Sequence, residues 1–169
     1  MPAPRTLSQE VSKENREDNR VVKNLQRQVS NAFMLYANYK HYHWQLFGPV
    51  FHDLHLMFDE FSKAVLATAD DFAERVRMIG QDVESVQLRE MQESSNLQSS
   101  HKGQSVREMI EEADANLLLV IKDMRQGAKD AESNDDPGTV DLFSKTVQIH
   151  EKHEWFLRQL LKKQDGLLT

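Results

Sequence analysis

Helix breakers are scarce in this chain: six glycines and four prolines in 169 residues, with Pro2, Pro4 and Pro49 all inside the first 50 positions. A helix stops where the backbone needs a positive φ or loses an N–H, so long stretches free of both residues predict long helices. The apolar pattern agrees. Val22, Leu25, Val29, Phe33 and Tyr36 recur at helical spacing and predict a helix from Asn19 to Phe47, stopped by Gly48-Pro49. Leu54, Phe58, Phe61, Val65, Phe72, Val76 and Ile79 step by three, four or seven and predict a second helix from Val50 to Ile79, ended by Gly80. Ser105-Val106-Arg107-Glu108 has the form of a capping box. It opens a third helix to about Lys129, with Ile110, Ala113, Leu117, Val120 or Ile121, and Met124 inward. An acidic turn, Asp130–Asp136, then leads to Pro137 at a first helical position. The last helix is expected to reach Lys163, with Leu142, Ile149, Phe156 and Leu160 inward.

The polar stretch 81–104 is too long for a tight hairpin and reads as a crossover carrying a short helical piece around Val86–Met91. Four long helices and one long crossover predict an all-α, ferritin-like four-helix bundle over residues 19–165, preceded by a polar tail at 1–18. Within residues 1–20, Arg5, Lys13, Arg16 and Arg20 balance Glu10, Glu14, Glu17 and Asp18. Cysteine is absent, which excludes disulfide frameworks, thiolate metal sites and thiol nucleophiles. No apolar run approaches the roughly 18–20 residues of a membrane span, and the N-terminus has no hydrophobic signal core. A cytoplasmic chain without a membrane partner is expected. The formal charge of −6 argues against a basic footprint covering the whole protein.

The chemistry concentrates on the second helix. At about 100° per residue, His55, Asp59, Asp70 and Glu74 fall within an arc of about 100°, centred roughly 150° from the apolar stripe. A solvated charged face is the competing reading. The preceding helix adds a histidine: His43 lies five residues before Gly48, and His55 about five residues into the next helix. In an antiparallel hairpin those positions stand at one height, with Asp59 one turn beyond His55. Two imidazoles and a carboxylate form a donor set suited to iron, manganese or zinc. Asp70 is 15 residues from His55, about 22 Å along a helix. If all five residues serve one site, Asp70 and Glu74 must come from a second chain packed antiparallel about a two-fold axis. An intrachain di-iron site of the usual ferritin kind needs Glu-x-x-His on two helices, and no histidine here has a glutamate three residues before it.

The run HYHWQLFGPVFHDLHLMFDEF (41–61), followed by DDFAERV (70–76), resembles the signature of the Dps family, miniferritins that protect DNA in starved cells. The His-Trp step, the Gly-Pro turn, the second histidine twelve residues after the first and the later Asp-x-x-x-Glu all stand at matching spacing. The resemblance covers about residues 20–163. It implies a ferroxidase site at a two-fold interface, with His43, His55 and Asp59 from one subunit and Asp70 and Glu74 from its partner. It also implies a hollow dodecamer built from two-fold dimers, oxidation of Fe(II) with hydrogen peroxide, and storage of ferric mineral, with zinc as another occupant of the same site. Trp44, beside His43, is a candidate radical trap. Asp130, Asp135, Asp136 and Asp141, with Glu132, are candidates for an acidic pore.

His52 falls on the same arc and departs from the family pattern, where an aromatic residue is commoner; it is a candidate extra ligand or an interface residue. His153 falls on the inward stripe and reads as a satisfied core histidine, although with His150 it shares an i, i+3 spacing that suits a secondary metal. His41 points away from His43, and His101 lies solvated in the crossover. Direct DNA binding is expected to be weak or absent, because it depends on phosphate neutralisation and the tail has no net charge; Lys162-Lys163 is the one small basic element near the C-terminus. Residence in the cytoplasm, with nucleoid association open, fits this reading. Two other readings stay open: a DNA-compacting structural protein, and a zinc-loaded metal-buffering oligomer with little ferroxidase activity.

Overall fold

The computed structural model describes residues 20–162. The polar tail at 1–18, Lys163 and the expected domain end at 165 lie outside the described residues. Five helices follow in order: α1 Arg20–Gln45, α2 Phe51–Met78, the short α3 Leu88–Ser94, α4 Val106–Ser133 and α5 Pro137–Leu160. Among the described residues there is no strand. α1 pairs with α2 and α4 with α5; α1 packs on α4, α2 on α5, and α3 lies against α1.

The stops act where the breakers sit. Gly48 at φ 91° and Gly80 at φ 82° occupy the left-handed region, which favours glycine. Ser105 Oγ accepts from the Glu108 N–H while Glu108 accepts from the Ser105 N–H, closing the expected capping box. Pro137 opens α5, and Asp136 caps it by accepting from the Thr139 N–H at 3.0 Å.

The core is apolar along α1, α2 and α4: Leu25, Tyr39, Tyr42, Phe58, Val65, Phe72, Ile110 and Leu117 are all fully buried. Two expectations need correction. α4 runs one turn further than the acidic segment suggests, so Asp130 and Glu132 are helical and the turn shrinks to Asn134–Asp136. On α5 the buried stripe is Thr139, Phe143, Thr146, His150, His153 and Leu157, whereas Leu142, Ile149, Phe156 and Leu160 are only half-buried. The buried face is displaced by about one position from the apolar one and includes His153, whose ring stacks on Phe61 of α2.

Buried amides, which an apolar period does not reveal, tie the crossover down. Gln26 donates to the Asp82 carbonyl and accepts from the Glu84 N–H. Asn38 donates to the Gln98 carbonyl at 2.7 Å and accepts from the Ser100 N–H at 3.0 Å, and Asn116 grips Gln98 from α4. These side chains satisfy backbone groups that the irregular segment leaves without a ladder.

α4 and α5 pack tightly at Gly127, where an added Cβ would stand 2.5 Å from Cζ of Phe143. Glycine to alanine in an exposed helix interior gains about 1 kcal/mol from propensity. At Gly127 the buried Phe143 ring cannot retreat, so overpacking of about 1–3 kcal/mol outweighs that gain. Gly127→Ala is expected to lower the urea midpoint with an unchanged m-value; a raised midpoint would show that the helices separate freely here.

Candidate metal centre

The α1–α2 hairpin is closed by a reciprocal clasp. His43 Nδ1 donates to the His55 carbonyl at 2.8 Å, and His55 Nδ1 donates to the His43 carbonyl at 2.9 Å. The His43 carbonyl belongs to the last turn of α1, where helix carbonyls have no intrahelical partner. A carbonyl only accepts, so the proton sits on Nδ1 in both rings. With Nδ1 committed to a backbone carbonyl, Nε2 is the ring nitrogen left for a metal, the arrangement in which a backbone bond orients a metal-binding histidine. The rings stack at 3.6 Å and 21°, with the Phe51 ring 5.1 Å from His55. Two half-buried histidines twelve residues apart are thus brought together as expected.

Asp59 stands one turn along α2, and cations hold both of its oxygens. Lys40 donates to Oδ1 at 2.8 Å and Lys63 to Oδ2 at 2.6 Å. The Lys40 bond first, then the Lys63 bond, hold the Asp59 carboxyl well below the usual carboxylate range. The residue is therefore an ionised donor whose lone pairs face ammonium groups. Neither lysine figures in the sequence reading. The Asp59–Lys63 spacing of i, i+4 is a signal that finds the second of them, whereas Lys40 reaches Asp59 from another helix and needs the fold.

Asp70 and Glu74 are exposed one turn apart near the far end of α2. The helix is unbroken from Phe51 to Met78, which keeps Asp70 about 22 Å from His55. Among the described residues, no three His, Asp or Glu side chains of one chain come close enough to hold a metal ion.

The remaining candidates separate cleanly. His52 is exposed in the first turn of α2 and faces Asp53 at 3.5 Å. Trp44 is 67 % exposed, with the Lys40 ammonium 6.0 Å from its ring centre. His41 turns to the crossover, Nε2 lying 3.2 Å from the His101 carbonyl, and His101 is exposed. Of the pore candidates, Asp135, Asp136 and Asp141 line one shallow depression with Glu132, and Asp130 does not. Asp136 already caps α5 and pairs with Arg75 at 2.5 Å, so its charge is largely spent within the chain.

His150 and His153 are core residues, but not satisfied ones. Neither ring nitrogen of His150 has a hydrogen-bond partner, nor has Nδ1 of His153. The His153 ring stacks on Phe61 at 3.7 Å and meets Tyr39 edge-on. Burial first, then its neighbour His153, pushes His150 down to about 3; burial first, then Lys152, pushes His153 down to about 4. Both are depressed below the unfolded value of about 6.5, so their neutral forms contribute full stability above pH 6.5 and lose it as pH falls toward 4. Each histidine is expected to cost up to about 2 kcal/mol at pH 5 relative to pH 7. His150→Leu should flatten the acid limb of the urea-midpoint profile between pH 7 and 5. An acid limb as steep as that of the wild type would show that His150 protonates without cost.

A family model for the ferritin-like domain matches residues 22–166. DNA protection during starvation protein 2 of Bacillus anthracis is 29% identical over 143 residues, covering 85% of this chain and 97% of the relative. The crystal structure of Dps from Thermosynechococcus elongatus superposes with a TM-score of 0.84 at 37% identity, covering 97% of this chain and 100% of that one. Dps from Staphylococcus aureus gives 0.82 at 28% identity, over 88% and 98% of the two chains. With the bundle, the crossover helix and the paired histidines in place, this chain belongs to the Dps family of ferritin-like proteins.

Proposed function

We propose that this protein is a ferroxidase and iron store. It oxidises Fe(II), preferably with hydrogen peroxide, and holds the ferric product as mineral inside a hollow homo-oligomeric shell. The shell is a dodecamer of two-fold dimers in the cytoplasm. Its benefit to the cell is protection of DNA from oxidative damage, in line with the name carried by the Bacillus anthracis relative.

The reciprocal His43–His55 clasp carries this reading. A pair of imidazoles packed only for stability has no need to commit both Nδ1 protons to backbone carbonyls and leave both Nε2 lone pairs free. Neutral imidazole and ionised carboxylate are a borderline-to-hard set that suits Fe(II) and also accepts zinc. Asp70 and Glu74 of one subunit would complete the set around His43, His55 and Asp59 of the other. That pairing repeats twice across a two-fold axis.

Iron is the substrate, and the protein supplies placement and charge. Two Fe(II) each give up one electron, and one hydrogen peroxide takes both with two protons to form two waters. The two-electron course releases no hydroxyl radical. Carboxylates favour the Fe(III) that forms, and Trp44, exposed beside the clasp, is the nearby side chain able to intercept a stray one-electron oxidant.

Compared with wild type, His55→Ala with Asp59→Ala is expected to lower the stopped-flow rate of Fe(II) oxidation by peroxide at least about a hundredfold. Assembly mass should not change. Equal rates would remove the site assignment. The absence of net charge in residues 1–20 favours the iron-handling reading over DNA compaction, so duplex DNA should not be retained in a mobility-shift series at physiological salt. Tight, salt-sensitive retention would revive the compaction reading.

A further inference from the structure

Asp59 holds two ammonium groups, but they differ in how firmly they are held. Lys63 sits on the same helix, four residues from Asp59, with its side chain 73% exposed within the single chain, so few contacts of its own chain hold it. Lys40 comes from α1, is 19% exposed, and lies with its ammonium 6.0 Å from the Trp44 ring centre. Packing and ring contact hold it where it is.

We propose that Lys63 is the displaceable occupant of the metal position. Its ammonium holds Oδ2 of Asp59 until a divalent cation replaces it, while Lys40 stays on Oδ1 and orients the carboxylate. Asp59 then binds the cation through Oδ2 alone. Loading becomes an exchange in which an incoming cation must outcompete a tethered ammonium. The chain thereby lowers the affinity of the site and favours divalent ions over monovalent ones. Lys40 is a positioning residue, acting on the metal only through Asp59. The inference rests on the reading of His43, His55 and Asp59 as ligands.

The test is titration of Co2+ into the full-length, metal-free assembly, followed by visible absorption. Lys63→Gln is expected to tighten Co2+ binding about two- to fivefold, the range set by an exposed ion pair, and Lys63→Arg to restore wild-type affinity. Lys145→Gln makes the same change of charge on α5 and is expected to leave affinity unchanged, and Lys40→Gln should give no tightening. Unchanged affinity in Lys63→Gln, or equal tightening in the Lys40 and Lys145 variants, overturns the proposal. His55→Ala separates the two layers: it should abolish the Co2+ spectrum in every background. If the spectrum survives that substitution, the ligand assignment itself fails. If it vanishes while Lys63→Gln changes nothing, only the displaceable lysine is wrong.

Discussion

An unbroken helix is the constraint on which everything else depends. From Phe51 to Met78, α2 contains no residue that bends it, so His55 and Asp59 at one end and Asp70 and Glu74 at the other are separated by a fixed length of rod. Side chains span only a few ångströms, and no rotamer brings those two groups together within one chain. Chemistry that needs all of them must be shared between chains. The apolar stripe that buries one face of α2 leaves these four residues off that face, so a site built from all of them needs a second chain.

The clasp at the α1–α2 turn solves the complementary problem of placing two rings from different helices. The C-terminus of α1 leaves the His43 carbonyl to spare for the His55 ring, while the His43 ring takes the His55 carbonyl inside α2, so each ring is fixed by the other residue's backbone. The Gly48-Pro49 turn makes this possible by reversing the chain within a few residues. Fold and donor geometry thus share one short segment, which explains why its residues form the most recognisable part of the chain.

Much of this is legible in the sequence because it follows from periodicity and from breakers. The scarcity of glycine and proline foretells the long helices, and twelve-residue spacing across a tight turn foretells that His43 meets His55. What is not legible depends on contacts between helices. The buried stripe of α5 is polar at Thr139, Thr146, His150 and His153, so an apolar period selects the wrong edge of that helix. Asn38 and Asn116 look like surface residues until the crossover is laid over them. Lys40 is invisible as a partner of Asp59 for the same reason: their separation of nineteen residues carries no local signal. The acidic segment at the end of α4 holds a role that its charge does not reveal, since Asp136 caps α5 and pairs with Arg75.

The central claim, a site shared between subunits, is tested most directly by mixing two broken chains. One carries His55→Ala with Asp59→Ala, and the other Asp70→Ala with Glu74→Ala. Each alone should oxidise Fe(II) no faster than the uncatalysed reaction. Co-assembled, a mixed pair regains one intact site of its two, because the histidines of one chain meet the acids of the other. The account predicts recovery of oxidation in the mixed assembly in proportion to mixed pairs. Silence there, in assemblies of normal mass, would contradict it.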